Sequence, residues 1–451
     1  GRASTGRYWT MSYPETFDRQ RPVASWAEEL HALMVDAVRL RLRADVPVGA
    51  YLSGGLDSSV TTALIKHFTT TKLETFSIAF HDRAYDESEY QTQMADYLGT
   101  SHHVVRCDYH DIADHFPEVI WHTERPIVRT APTPLYMLSN LVRENDFKVV
   151  LTGEGSDEIL AGYDIFKETL IRSFWARNPE SKWRPALLKK LYPTLPVSAA
   201  NTGYYLQAFY KAGLAETEKY YFSHIPRMNT TTKIKDFFSG EVKDRIGGYD
   251  SLAAFGRDLP EGFFRWHQMV RAQYVEARSL LAGYILSSQG DRMSAAHSVE
   301  GRFPFLDHRV AEFAATIPPW LKIFGLNEKY ILKKAMVKEL PPNIIERVKQ
   351  PYMAPDANSF VQADSPGYVR EIMSAGSIKA GGIFNPITVG KLHDKCRRMA
   401  QKRLSFKDNM SFIGVLSTQL LIDKYIDHFE PPPCPARDAF TVWEDMSETG
   451  C

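Results

Sequence analysis

The sequence predicts an α/β protein built on a doubly wound parallel sheet, with a large, mostly helical C-terminal part. Three observations carry this expectation. Short apolar runs alternate with helical periodicity over the first third of the chain, two of those runs break into glycine turns, and strand-like runs fade after about residue 166. In sheets of this kind ligands bind beyond the carboxyl ends of the strands, so the glycine turns mark the place to search for chemistry.

Residues 1–24 are polar and irregular, with Pro14 and Pro22, and read as a leader or linker. Ser25-Trp26-Ala27-Glu28 has capping-box spacing, and Leu30, Met34 and Val38 recur at helical intervals, which predicts a helix ending near Asp45, before Pro47. The run from Val48 to Leu52 reads as a strand, breaks into Ser53-Gly54-Gly55 and resumes as a helix from about Asp57. The pattern repeats with a strand over Leu73 to Phe80, a helix over Glu87 to Leu98 and a strand over His103 to Cys107. Helical stretches near 109–120 and 133–145 precede a buried strand from Phe147 to Leu151, which enters a second turn at Gly153-Glu154-Gly155. We therefore divide the chain into an α/β core over 25–165, a helical insertion over 166–285, a helical part over 286–430 that completes the site, and an extended or disordered tail over 431–451.

Composition narrows the function classes. At 451 residues the chain exceeds what one core usually serves. Lys+Arg and Asp+Glu both total 54, so no overall field favours nucleic acid or a membrane surface. No apolar run approaches the roughly 20 residues of a spanning helix, and the expected setting is cytoplasmic. Cys107, Cys396, Cys434 and Cys451 are scattered without metal spacing and read as reduced, non-catalytic thiols.

The turn Ser53-Gly54-Gly55-Leu56-Asp57-Ser58-Ser59 follows a strand and opens a helix. Phosphate oxygens need several donors at close range. Glycine lets backbone N–H groups approach, the hydroxyls at 53, 58 and 59 add donors, and a helix N-terminus adds positive partial charge. Asp57 is out of place beside phosphates unless a divalent cation intervenes, and Mg²⁺ is usually held by one or two carboxylates together with phosphates. The turn lacks the glycine spacing and Lys of a Walker A loop, which disfavours kinase-like transfer.

The second turn, Leu151-Thr152-Gly153-Glu154-Gly155-Ser156-Asp157-Glu158, crowds three carboxylates. Like charges at that spacing are costly without a cation or a basic partner. Asp57 and Asp157 on two strand ends could share Mg²⁺ across a triphosphate, leaving Glu154 for an amine or ammonia. The competing reading is a solvated acidic loop.

Together these turns resemble those of the asparagine synthetase family of N-type ATP pyrophosphatases, whose fold is of the adenine nucleotide alpha hydrolase type. The similarity continues through Ser298-Val299-Glu300-Gly301-Arg302-Phe303-Pro304-Phe305-Leu306-Asp307, Glu328-Lys329-Tyr330-Ile331-Leu332-Lys333 and Val348-Lys349-Gln350-Pro351. The resemblance implies ATP and Mg²⁺ as cofactors. It implies that a carboxylate, aspartate in the family's main reaction, attacks the α-phosphorus of ATP and that ammonia converts the acyl-adenylate to an amide. It gives pyrophosphate to the first turn, the base and ribose to Leu52, Ile78 and Gly153, charge neutralisation to Lys329 and Lys349, and ammonia or its proton to Glu154. Arg129 is a candidate for the substrate carboxylate or a phosphate, although Arg129-Thr130-Ala131-Pro132-Thr133-Pro134 departs from the bacterial family pattern by one residue. Arg302 and Asp307 are expected to hold the Pro304 loop against the sheet. His102-His103 is expected in polar packing rather than on a metal, and Met293 with the aromatic residues of 263–284 in the core.

Complete glutamine-dependent members of that family begin with a catalytic Cys in a separate glutaminase domain. This sequence begins Gly1-Arg2-Ala3, and Arg7-Tyr8-Trp9 resembles the junction where that domain ends. A fragment of a longer enzyme and a stand-alone synthetase served by free ammonia or by a glutaminase subunit both remain open, as does a homodimer. Either way, amide formation from ammonium but not from glutamine is expected. The alternatives are a related ligase or cyclase acting on another carboxylate, and a non-catalytic nucleotide-binding member. A tRNA-thiolating pyrophosphatase is disfavoured by the neutral charge and the lack of paired cysteines.

Overall fold

The computed structural model describes residues 3–6, 8–69, 72–191, 200–350, 352–400 and 404–431. Cys434, Cys451 and the tail beyond Pro431 lie outside the described residues. Among the described residues, five parallel strands form one sheet in the order β3-β2-β1-β4-β5: β1 Val48–Tyr51, β2 Glu74–Phe80, β3 Ser101–Cys107, β4 Val149–Leu151 and β5 Glu300–Arg302. The chain winds outward from β1 to β3 and then returns to place β4 on the other flank of β1. The strand order therefore reverses between β1 and β4, where an open α/β sheet presents its crevice. Both glycine turns leave the sheet at this point.

Successive strand residues face opposite sides. Ala50, Leu52 and Leu151 pack with Leu30, Met34, Val60, Leu64, Phe305 and Ile331 on one face. Phe76, Ile78 and Val150 pack with Phe116, Ile120, Val142, Met293 and Phe412 on the other. Helix α1 (Val23–Arg41) and α2 (Leu56–Lys66) cover the first face. Helix α3 (Ser88–Leu98) adds Met94 to that face, and α4 (Tyr109–Thr123) and α5 (Pro132–Glu144) cover the second. Met293 is fully buried, and Phe263, Trp266 and Tyr274 form a separate apolar cluster that also takes in Tyr13 from the segment read as a leader.

Four local readings are corrected. Helix α1 starts at Val23 after Pro22, so Ser25 sits inside its first turn rather than at a capping box, and it ends at Arg41. Pro22 supplies the first ladder carbonyl, to Trp26 N at 3.3 Å, and its own missing N–H costs nothing there. Strand β5 has no apolar run at all; Glu-Gly-Arg pairs with β4, and Arg302 O accepts from Thr152 N at 3.0 Å. Arg302 lies in β5 itself, and its side chain and that of Asp307 reach the end of α1 rather than the Pro304 loop. Arg302 Nη1 donates to the carbonyls of Arg41 and Arg43, while Arg41 Nη1 donates to Asp307 Oδ2 at 2.9 Å. Residues Ala277–Asp291, expected as ordinary helix, wind as a π-helix.

Histidines 102 and 103 do point apart. His102 Nδ1 meets Thr75 Oγ1 at 2.9 Å, and His103 Nε2 meets Glu74 Oε2 at 2.6 Å. Cys107 and Cys396 are buried free thiols, and burial raises the pKa of both, that of Cys396 to about 12. Among the described residues no helix is long and apolar enough to cross a membrane.

Candidate active site

The turn after β1 is held open at the start of α2. Gly55 stands at the N-cap and supplies no side-chain cap, so among the described residues the helix N-terminus remains available to an anion. Hydroxyls shape the loop from within. Ser58 Oγ accepts from Ser53 N at 3.1 Å and lies 2.9 Å from Ser53 Oγ, which accepts from Gly55 N at 3.3 Å. Ser59 is fully buried, so the hydroxyl donor expected at 59 faces the core rather than the turn.

The turn after β4 meets the first one directly. A Cβ at Gly153 would stand 2.9 Å from the carbonyl carbon of Asp57 and from Ser58 N, so only glycine lets the two loops pass. Ser156 Oγ donates to Asp57 Oδ1 at 2.7 Å, and short helix α6 (Ser156–Leu160) carries Asp157 and Glu158 into the interior. Asp57 and Asp157 thus converge as expected.

Two lysines close the charge balance. Lys329 Nζ is 2.6 Å from both Asp57 oxygens and 2.6 Å from Asp157 Oδ1. Lys349 Nζ is 2.7 Å from Asp157 Oδ2 and 3.6 Å from Asp57 Oδ2. Burial alone would raise the Asp157 carboxyl, but the two ammonium groups hold it down to about 2. Burial likewise opposes the charge on Lys349, and Asp157 and Asp57 outweigh it and raise its basicity. The lysines were expected to face phosphates; here they neutralise the aspartates. Gly162 makes room for this arrangement, because a Cβ there would fall 2.0 Å from Asp157 Oδ1 and 2.1 Å from Lys329 Cε.

Two acids beside this network are set apart from it. Glu154 is half-buried, accepts from Thr152 Oγ1, and is pushed up to about 7 by burial and then by Asp57, Asp157 and Asp291. Glu158 is pushed up to about 8 by burial and the Asp157 charge, and accepts from Tyr163 Oη at 3.0 Å. One carboxyl held low, that of Asp157, beside two that are raised is the separation of acid–base roles seen at reactive centres.

Three expectations fit less well. The Leu52 N–H bonds the Phe76 carbonyl at 3.0 Å, the Leu52 carbonyl accepts from Ser77 Oγ, and the Ile78 carbonyl accepts from Gln91 Nε2 at 2.7 Å. These backbone groups, read as base and ribose contacts, already have protein partners. Arg129 is engaged as well: its Nη1 donates to Asp356 Oδ2 at 2.9 Å, and Thr130 N donates to Asp356 Oδ1 at 3.1 Å. The sequence reading also passed over Arg347, whose Nη1 donates to the Gly54 carbonyl at 2.9 Å. Its position two residues before Lys349 was the one signal present.

Fold and site define an α/β nucleotide-type domain in which a donor-rich turn and an acidic turn share the switch point of a parallel sheet. A family profile described as asparagine synthase matches residues 29–423. The chain belongs to the asparagine synthase family. Among curated relatives, Amidase chyE of Penicillium rubens is 29% identical over 77% of this chain and 55% of its own length. Amidase chry2 of Gibberella zeae is 30% identical, again over 77% and 55%. The glutamine-hydrolyzing asparagine synthetase 1 of Bacillus subtilis is 28% identical over 82% of this chain and 56% of its own. The chain spans about half the length of the curated relatives it matches.

Proposed function

We propose that the site adenylates a carboxylate with ATP and passes the acyl group to ammonia, forming an amide, AMP and pyrophosphate. The observation that carries this reading is the convergence of Asp57 and Asp157, from two strand ends, on Lys329 beside an open helix N-terminus. In this reading the carboxylate oxygen attacks the α-phosphorus and the bond to the bridging oxygen of pyrophosphate breaks. The amides at the start of α2, with Ser53 and Ser58, hold the departing pyrophosphate. Ammonia then attacks the acyl carbon, and Glu154 accepts a proton from the tetrahedral intermediate as AMP leaves. Lys349 and Lys329 offset the negative charge that builds on phosphates and oxyanion.

Two carboxylates on one cation position form a donor set suited to Mg²⁺, which takes oxygen ligands from one or two carboxylates and from phosphates. Asp57 and Asp157 would hold it. When bound, such an ion neutralises phosphate charge and aligns the leaving group.

Aspartate is the acceptor suggested by the asparagine synthetase relatives. A second reading keeps the adenylation and changes the acceptor. It is favoured by the engagement of Arg129 with Asp356, which leaves that guanidinium neutralised, and by the relatives named amidases. One experiment separates them: ATP, Mg²⁺, ammonium and a panel of amino-acid and other carboxylates, with pyrophosphate release as the signal. Release that requires aspartate supports the first reading, and release with a different acid supports the second. No acid-dependent release from any member of a broad panel would sink both.

A further inference from the structure

The segment that carries Lys349 is not held by secondary structure. Among the described residues, no backbone–backbone hydrogen bond engages residues 347–350 outside helices and strands, and neighbouring Val348 is 61% exposed. Side chains anchor it instead. The Arg347 guanidinium reaches across to the turn after β1, where Nη1 donates to the Gly54 carbonyl at 2.9 Å. Its Nη2 pairs with Glu87, at the N-cap of α3, and its carbon lies 3.8 Å from the centre of the Tyr90 ring. The side chain is only 10% exposed.

Gly54 is the residue at which this contact can control the loop. It sits at φ +71°, and a Cβ there would be 2.6 Å from the Tyr90 carbonyl carbon and 2.7 Å from Gln91 N. The turn is therefore wedged against the same first turn of α3 that Arg347 stacks on and salts. A planar guanidinium can serve a carbonyl, a carboxylate and a ring face at once, which an ammonium on a flexible stem cannot.

We propose that Arg347 is a positioning residue that locks the Lys349 segment to the pyrophosphate turn through the Gly54 carbonyl, so that occupation of the turn and placement of Lys349 are coupled. The inference rests on the adenylation reading for the ligand it invokes, pyrophosphate, and on the geometry alone for the lock itself. Arg347 touches no reacting group; it acts through Gly54 and through the chain to Lys349.

Hydrogen–deuterium exchange on the full chain, with and without inorganic pyrophosphate and Mg²⁺, tests it. In the wild-type protein pyrophosphate is expected to slow exchange both in 53–59 and in 346–350. In Arg347→Lys at saturating pyrophosphate, protection is expected to persist in 53–59 and to be lost in 346–350, with pyrophosphate affinity down about tenfold. Lys349→Ala, which removes the direct contact but leaves the lock, is expected to keep the protection of 346–348. Protection of 346–350 in Arg347→Lys equal to wild type would overturn the proposal, as would its loss in Lys349→Ala alone. If pyrophosphate protects nothing in wild-type protein, the adenylation reading fails, and the lock is then judged without ligand. Exchange in 346–350 must be faster in Arg347→Lys than in wild type, and equal rates would remove it.

Discussion

Lys329 and Asp57 form a bifurcated ion pair, with Nζ 2.6 Å from each carboxylate oxygen, and the same ammonium reaches Asp157. One cation therefore joins the two strand-end turns, and it does so from a residue held at φ 51°, in the left-handed region that non-glycine residues rarely adopt. Lys329 is 2% exposed, and the Asp57 and Asp157 side chains are 14% and 12% exposed. Breaking a buried pair by removing one partner leaves uncompensated charge and costs about 3–5 kcal/mol. Lys329→Met is expected to lose that much stability in urea unfolding. Adding Asp157→Asn should restore part of it, because one of the two stranded charges is gone. A loss within experimental error would show that the carboxylates find another cation.

Gly162 tests the same network without touching a charge. Its substitution by Ala puts a methyl group within 2.1 Å of both Asp157 and Lys329, so one of them must move. Overpacking of this kind costs about 1–3 kcal/mol. The fold should survive while pyrophosphate release falls by on the order of 100-fold, as misplacement by an ångström can do. Wild-type turnover in Gly162→Ala would show that the observed Lys329–Asp157 contact is not the working geometry.

The winding of β1 through β4 was readable because β1, β2 and β4 are largely apolar runs, and the turns after β1 and β4 carry glycines. Leu52 and Leu151 end such runs, and the resemblance rests on the residues that follow them. Strand β5 was not readable, since Glu300-Gly301-Arg302 has no apolar member and is a strand only because β4 offers an unpaired edge. The convergence of Asp57 and Asp157 could be inferred from strand ends, whereas the direction of Lys329 and Lys349 could not. Long side chains at the far end of the chain choose partners by three-dimensional proximity, and here they chose aspartates. The same reason hid Arg347, whose contacts with Gly54, Glu87 and Tyr90 span 257 to 293 positions of sequence.

Acid stability should report the Asp157 environment. Its carboxyl is lowered from an ordinary 3.8 to about 2, so its contribution is present above pH 3.8 and lost as pH falls toward 2. The size is on the order of 2 kcal/mol. Lys349→Met removes one of the two ammonium groups that hold the carboxyl down, and the acid unfolding midpoint, followed by circular dichroism, should move to higher pH. An unchanged midpoint would mean that Lys329 alone sets the Asp157 charge.

Glu154 links the raised carboxyl to the ammonia step. Held near 7 by burial and by neighbouring carboxylates, it is mostly protonated below that pH and mostly charged above it, and only the charged form can accept a proton. Ammonia-dependent amide formation, normalised to free ammonia, should therefore climb as pH rises through about 7. Glu154→Gln should flatten that limb and slow the ammonia step by about 100-fold or more, the usual range for a positioned base. Exchange of labelled pyrophosphate into ATP in the presence of the acceptor acid needs no ammonia, so the variant should retain it within a few-fold. Loss of exchange together with amide formation would move Glu154 from the ammonia step to adenylation itself, because the two half-reactions share the carboxylate and the α-phosphate but only one of them has a proton to lose from nitrogen.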